Sequence, residues 1–114
     1  MSPPRLASRV EVSALLRRMS ALGGSGAVLA RGDADAGAIL LLLCERGNPS
    51  LLLARALDMD GIYRWRPTGP RPIADRAEAE AYIERRRRSD DDLWVVELDT
   101  AGVEQFAAGM IGGD

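Results

Sequence analysis

Two charge runs hold the residues best suited to chemistry: Arg85 to Arg88, four consecutive arginines, and Asp90-Asp91-Asp92 just beyond Ser89. Three adjacent carboxylates could hold magnesium or move protons, although magnesium sites usually add a substrate phosphate. The neighbouring arginines would neutralise much of that field, so a solvated turn salt-linked to a helix end is the expectation. A second acidic pattern, Asp33-Ala34-Asp35-Ala36-Gly37, opens like a calcium loop. It then fails, because Gly37 sits where a third ligand is wanted and Cys44 occupies the place of the bidentate glutamate. Aspartates and glycines shaping a hairpin turn account for it. No metal and no cofactor are expected.

What is missing narrows the chemistry further. The chain has no histidine, and its 15 basic residues are all arginine. The first absence removes Ser-His-Asp and Cys-His arrangements and the commonest zinc ligand. The second removes Schiff-base lysines and the P-loop lysine. Cys44 lies in an apolar run and cannot form an internal disulfide; it reads as a small buried hydrophobe. No catalytic residue is assigned, and the balance leans away from an enzyme. The net charge of −2 provides no global attraction to nucleic acid, so any basic surface must be local.

Binding is the more promising chemistry. Arg85, Arg86, Arg87 and Arg88 fan around a helix end. With Arg64, Arg66 and Arg71 nearby in sequence, plus Tyr63 and Trp65, they could form a basic surface with stacking rings for RNA or single-stranded DNA. No nucleic-acid signature accompanies them, and the aspartates that follow would repel phosphate. Trp65-Arg66-Pro67 combines two residue types enriched at interface hot spots with a stiffening proline. Gly23-Gly24-Ser25-Gly26 follows a helix rather than preceding one, the wrong order for a dinucleotide fingerprint.

The elements that must position these residues can be read from periodicity. A chain of 114 residues is a single domain's worth, with the ordered core over residues 6–99 and a flexible tail over residues 107–114. Ser8 and Glu11 form a capping box at the start of a helix. Val12, Leu15, Leu16, Met19 and Leu22 give it one apolar face, leaving Arg9, Arg17 and Arg18 in solvent. Gly23-Gly24 ends it. Ala27 to Ala30 is a short strand, and Ala38 to Cys44, unbroken in apolarity, is a central strand covered on both faces. Leu51 to Arg55 returns as its antiparallel partner after a hairpin turn. Ile62 to Arg66 alternates and stops at Pro67, with Tyr63 and Trp65 on one face and Arg64 and Arg66 on the other. A cap-like pattern at Asp75 to Glu78 starts a second helix running to about Arg88, its arginines complementing the helix dipole. Leu93 to Leu98 is the last strand, Val103 to Phe106 docks beyond it, and Gly109 to Asp114 should fray. The predicted fold is α+β, a single domain with an antiparallel-dominated sheet of about five strands and two helices packed on one side.

With these segments in place, the chain resembles the domain-of-unknown-function family 1491. The matching pieces are Leu16-Arg17-Arg18, Arg31 through Gly37, Trp65-Arg66-Pro67 and Asp92 through Glu97, with Tyr82-Ile83 and the arginines after it. They span most of Leu6 to Leu98. Ala34 and Asp91 stand where that family's pattern tends to have proline, which should loosen two turns. The resemblance implies a bacterial cytoplasmic protein and brings no activity, catalytic residue or cofactor. The absence of an h-region after Met1 and of a membrane-length apolar run agrees with the cytoplasm.

Three functions therefore remain in play. The first is a non-catalytic interaction module or adaptor with an unidentified protein partner, a homodimer being one form of it, through Trp65 and Arg66. The second is a nucleic-acid binder, and the third a carboxylate-dependent enzyme using Asp33 and Asp35, or Asp90 to Asp92. No membrane partner is expected.

Overall fold

The computed structural model describes residues 6–112. The elements are α1 (Ser8–Ala21), β1 (Ser25–Ala30), β2 (Ile39–Glu45), β3 (Asn48–Leu57), β4 (Tyr63–Thr68), α2 (Arg76–Ser89), β5 (Trp94–Asp99) and α3 (Val103–Gly112). The five strands form one sheet in the order β1-β5-β2-β3-β4. Every neighbouring pair is antiparallel except β2 and β5, which run parallel.

The centre of the sheet follows from the apolar run. Each residue from Ile39 to Cys44 is fully or almost fully buried. Because side chains alternate across a strand, one half of the run must be covered on each face. Ile39, Leu41 and Leu43 pack with Val12 and Met19 of α1 and with Val103, Ala107 and Met110 of α3. Leu40, Leu42 and Cys44 pack with Ala79 and Ile83 of α2. The α+β class and the mainly antiparallel five-stranded sheet agree with the sequence pattern. There are three helices rather than two, and they cover both faces rather than one. A strand apolar on both faces leaves no other arrangement.

Four local readings need correction. Ser8 and Glu11 do not make a capping box: Ala7 is the N-cap and provides no side-chain cap. The amides of Ser8 and Arg9 instead donate to the carbonyls of Asp35 and Ala34, at 3.2 and 2.9 Å. The Ser8 hydroxyl donates to the Gly37 carbonyl, and the Glu11 carboxylate pairs with Arg55. Second, Arg31 to Gly37 is not a hairpin turn, because β5 lies between β1 and β2. That loop crosses the end of β5, with the Asp33 amide donating to the Asp92 carbonyl at 3.0 Å. The approach is close enough that a Cβ on Gly37 would lie 2.2 Å from the Asp92 carbonyl oxygen.

Third, β4 continues through Pro67 to Thr68. As the outermost strand it has a free side on which a residue without an N–H is tolerated. Fourth, the chain does not fray from Gly109. The helix α3 runs to Gly112, with Met110 buried against the core; Gly113 and Asp114 lie outside the described residues.

The two turns expected to be loose are each held by an aspartate. Asp33 accepts from the amides of Asp35 and Ala36 at 3.2 and 2.8 Å, and Asp90 accepts from the Asp92 amide at 3.0 Å. Both are Asx turns, a side chain doing locally what proline does through its ring. The cap of α2 follows the sequence pattern: Asp75 accepts from the Glu78 amide at 2.9 Å. No helix among the described residues is long and apolar enough to cross a membrane.

Candidate binding groove at Trp65

The β3–β4 hairpin divides its side chains between two surfaces. Arg55 pairs with Trp65 and Leu57 with Tyr63, so these four share the face covered by α1 and α3. Ala54 pairs with Arg66 and Ala56 with Arg64, on the face covered by α2. The alternation read from the sequence is thus correct, and it separates the rings from the arginines that were to flank them.

Trp65 is half-buried against the core, and the Arg55 guanidinium lies over its ring, 5.1 Å from the centroid. Arg55 Nη1 pairs with the Glu11 carboxylate of α1, whose side chain is 10% exposed against 25% for Arg55. Arg55 Nε is buried without an acceptor among the described residues. Two adjoining clefts open here. One of about 220 Å³ is lined by Leu6, Glu11, Ala14, Leu15, Arg18, Arg55 and Trp65. The other, of about 140 Å³, shares Leu15, Arg18, Arg55 and Trp65 and extends to Tyr63, Arg64, Gly109 and Met110. Arg18 lies over the Phe106 ring at 5.2 Å. Beyond the helices the hairpin leaves Leu57, Met59, Ile62 and Tyr63 exposed.

On the other face Arg64 and Arg66 both donate to Asp58, at 2.9 and 2.6 Å, and Arg64 also reaches Asp60. Those arginines hold the carboxyl of Asp58 below its usual range. Arg86 donates to the Tyr82 hydroxyl at 2.9 Å, and both Arg85 and Arg86 lie 5.8 Å from the Tyr82 ring. Tyr82 also meets Thr68 of β4 at 2.5 Å. Arg66, two residues from Thr68 on the same face, is therefore about one pleat repeat of roughly 7 Å from that contact. Tyr82, not Tyr63 or Trp65, is the ring within the arginine group. Arg87 and Arg88 are exposed at the end of α2. No ion pair joins Arg85 to Arg88 with Asp90 to Asp92 among the described residues, contrary to the salt-linked turn expected.

The acidic candidates are dispersed. Asp33, Asp35, Asp91 and Asp92 are exposed and Asp90 partly so. They line none of the clefts described here, and no group of three or more metal-binding side chains occurs among the described residues. An open cleft of about 760 Å³ lies around Glu45, Asn48, Pro72 and Val103. Of its two carboxylates, Glu45 accepts from the amides of Gly102 and Val103 at the start of α3, and Glu104 is exposed on the first turn of that helix. Cys44 is fully buried, and desolvation, reinforced by the nearby Glu97 carboxylate, pushes its thiol up to about 12. A thiol so protonated is no nucleophile at neutral pH.

Residues 6–108 match the family described as "Protein of unknown function (DUF1491)". The chain belongs to the DUF1491 family. Three solved structures are similar to it, two of them DUF1491 family proteins. The crystal structure of a DUF1491 family protein from Caulobacter crescentus CB15, at 1.87 Å resolution, is 34% identical, with 84% of this chain and 89% of that one covered and a TM-score of 0.76. The NMR structure of a DUF1491 family protein from the same organism gives 34% identity, 88% and 91% coverage and a TM-score of 0.75. A protein from A. tumefaciens solved in solution is 35% identical over 95% of this chain and 92% of its own, with a TM-score of 0.73. No curated protein matches the chain. Membership of DUF1491 therefore fixes the fold and brings no activity with it.

Sequence reasoning found Trp65 but missed Arg55, the cation over its ring, and Arg18, which lines the same clefts. Arg18 read as a solvated helix residue and Arg55 as the end of a strand. The β3–β4 register sets Arg55 opposite Trp65, and the packing of α1 brings Arg18 to the same clefts.

Proposed function

We propose that the protein is a small, non-catalytic cytoplasmic interaction module whose protein partner docks on the Trp65 face of the β3–β4 hairpin. The supporting observation is the contiguous exposed apolar surface of Leu57 and Tyr63 leading into the half-buried Trp65. Soluble domains rarely leave adjoining large apolar side chains in water without a use. A tryptophan backed by a fixed arginine and bordered by clefts also has the composition and setting of a binding hot spot. Arg66 lies on the opposite face and drops out of this surface.

The test is a photo-crosslinking residue at Tyr63 in the full chain, with the same residue at Ser13 of α1 as the control. A recurrent adduct to one protein from Tyr63 alone, lost on adding Trp65→Ala in a folded variant, is the expected result. Equal labelling from both positions would refute the proposal.

A nucleic-acid reading has one specific support, the Tyr82 ring bracketed by Arg85 and Arg86 on the same sheet face as Arg64 and Arg66. Anisotropy of labelled single-stranded RNA and DNA at two salt concentrations tests it, with an Arg85-to-Arg88 all-glutamine control. Salt-sensitive binding lost in that variant would favour it. No binding at low salt removes it.

A further inference from the structure

The geometry points to the occupant of this groove: a short acidic peptide segment, with a carboxylate held between Arg18 and Arg55 and a neighbouring large apolar side chain against Leu15 and Trp65. This inference rests on the interaction reading above and names the partner's chemistry. Arg18 and Arg55 line both clefts, and Arg64, which belongs to the opposite sheet face, borders only the smaller one, against a single lining carboxylate, Glu11, in a chain whose overall charge is −2. Arg64 is already neutralised by Asp58 and Asp60, so the field in the groove comes from the other two. Arg18 has an aromatic neighbour but no carboxylate among the described residues. Among the described residues only Nη1 of Arg55 meets a protein acceptor, and a guanidinium has five N–H donors. A site with donors to spare and no acceptor vacancy selects an acceptor-only group.

The cleft volumes decide the size of the guest. Spaces of about 220 and 140 Å³ suit one or two side chains and fall below the roughly 300 Å³ at which cofactor and drug-sized sites begin. The walls of Leu6, Ala14, Leu15, Trp65 and Met110 are apolar, which favours an apolar group beside the anion over a free inorganic ion.

The experiment is an NMR titration of the intact protein with N-acetyl-Phe-Glu-amide, its Gln counterpart, sodium acetate and inorganic phosphate. The two indole N–H signals serve as probe and reference. Trp94 Nε1 donates to the Asp33 carbonyl at 2.7 Å away from the groove and should stay still, whereas Trp65 should move. A saturable Trp65 shift with the Glu peptide is expected, weakened about ten-fold or more with the Gln peptide and with Arg18→Gln. Arg18 is exposed and pairs with no carboxylate among the described residues, so its replacement should leave the fold intact, checked by the unmoved Trp94 signal. Equal affinity for the Gln peptide, equal affinity for acetate or phosphate alone, or no shift would each overturn the inference. Should the Tyr63 crosslink persist while the acidic peptide fails to bind, the surface is used by a partner of other chemistry. Loss of both removes the interaction reading itself.

Discussion

Replacing Glu11 by glutamine removes the charge opposite Arg55 while keeping the shape of the side chain. A buried ion pair broken from one side typically costs about 3–5 kcal/mol, because a desolvated charge is left behind. Arg55 retains 25% exposure of its side chain, so water can take over part of the lost interaction. The remaining penalty is that of a charge-assisted hydrogen bond in a partly dry site, about 2 kcal/mol. In a domain of 114 residues that corresponds to a fall in Tm of roughly 8 °C. Urea unfolding of the wild type, Glu11→Gln, Arg55→Met and the double variant closes a thermodynamic cycle. The expected coupling is about 1.5–2 kcal/mol, with the double variant more stable than Glu11→Gln because no unpaired cation remains. A coupling under about 0.5 kcal/mol would show that the pair behaves as a surface contact. Arg55 would then not be fixed over Trp65, and the preorganised groove would lose its physical basis.

Other outcomes follow from the same contacts. Gly37→Ala places a methyl 2.2 Å from the Asp92 carbonyl oxygen and 2.9 Å from backbone atoms of Asp33, so the loop must move, and urea unfolding should show a loss of about 3 kcal/mol or more. Gly109→Ala, in α3 with open space around it, should instead gain about 0.5–1 kcal/mol in the same assay. The Cys44 thiol should resist alkylation at pH 8 until the chain unfolds. Its folded pKa is raised from 9.0 to about 12, so the native state holds its proton longer than the unfolded one. That contribution to stability is complete below pH 9 and is lost as the pH rises toward about 12. Asp58, held down by Arg66 and Arg64, should titrate by NMR below the usual 3.8, and its stabilising contribution is present above that value and lost as the pH falls further. A midpoint at or above 3.8 would mean that the arginine contacts do not persist in solution.

The sequence by itself determined those features whose cause lies within a few residues. Ala38 to Cys44 had to be a central strand because alternation cannot hide seven apolar residues on one face. Asp75 and Glu78 marked the start of α2 because a cap is a local hydrogen bond, and the two faces of β4 followed from the pleat. Tertiary structure decided whatever depended on partners distant in the chain. Ser8 and Glu11 have the spacing of a capping box, but burial offered Ser8 the Gly37 carbonyl and Glu11 the Arg55 guanidinium, and bonds shielded from water outweigh an exposed local cap. The insertion of β5 between β1 and β2 turned an apparent hairpin into a crossing loop, since strand pairing is set by the whole sheet. The groove belongs to the second kind as well. Trp65 stands out in the sequence, whereas Arg55 becomes its neighbour only through the β3–β4 register and Arg18 reaches the same clefts only once α1 lies across the hairpin.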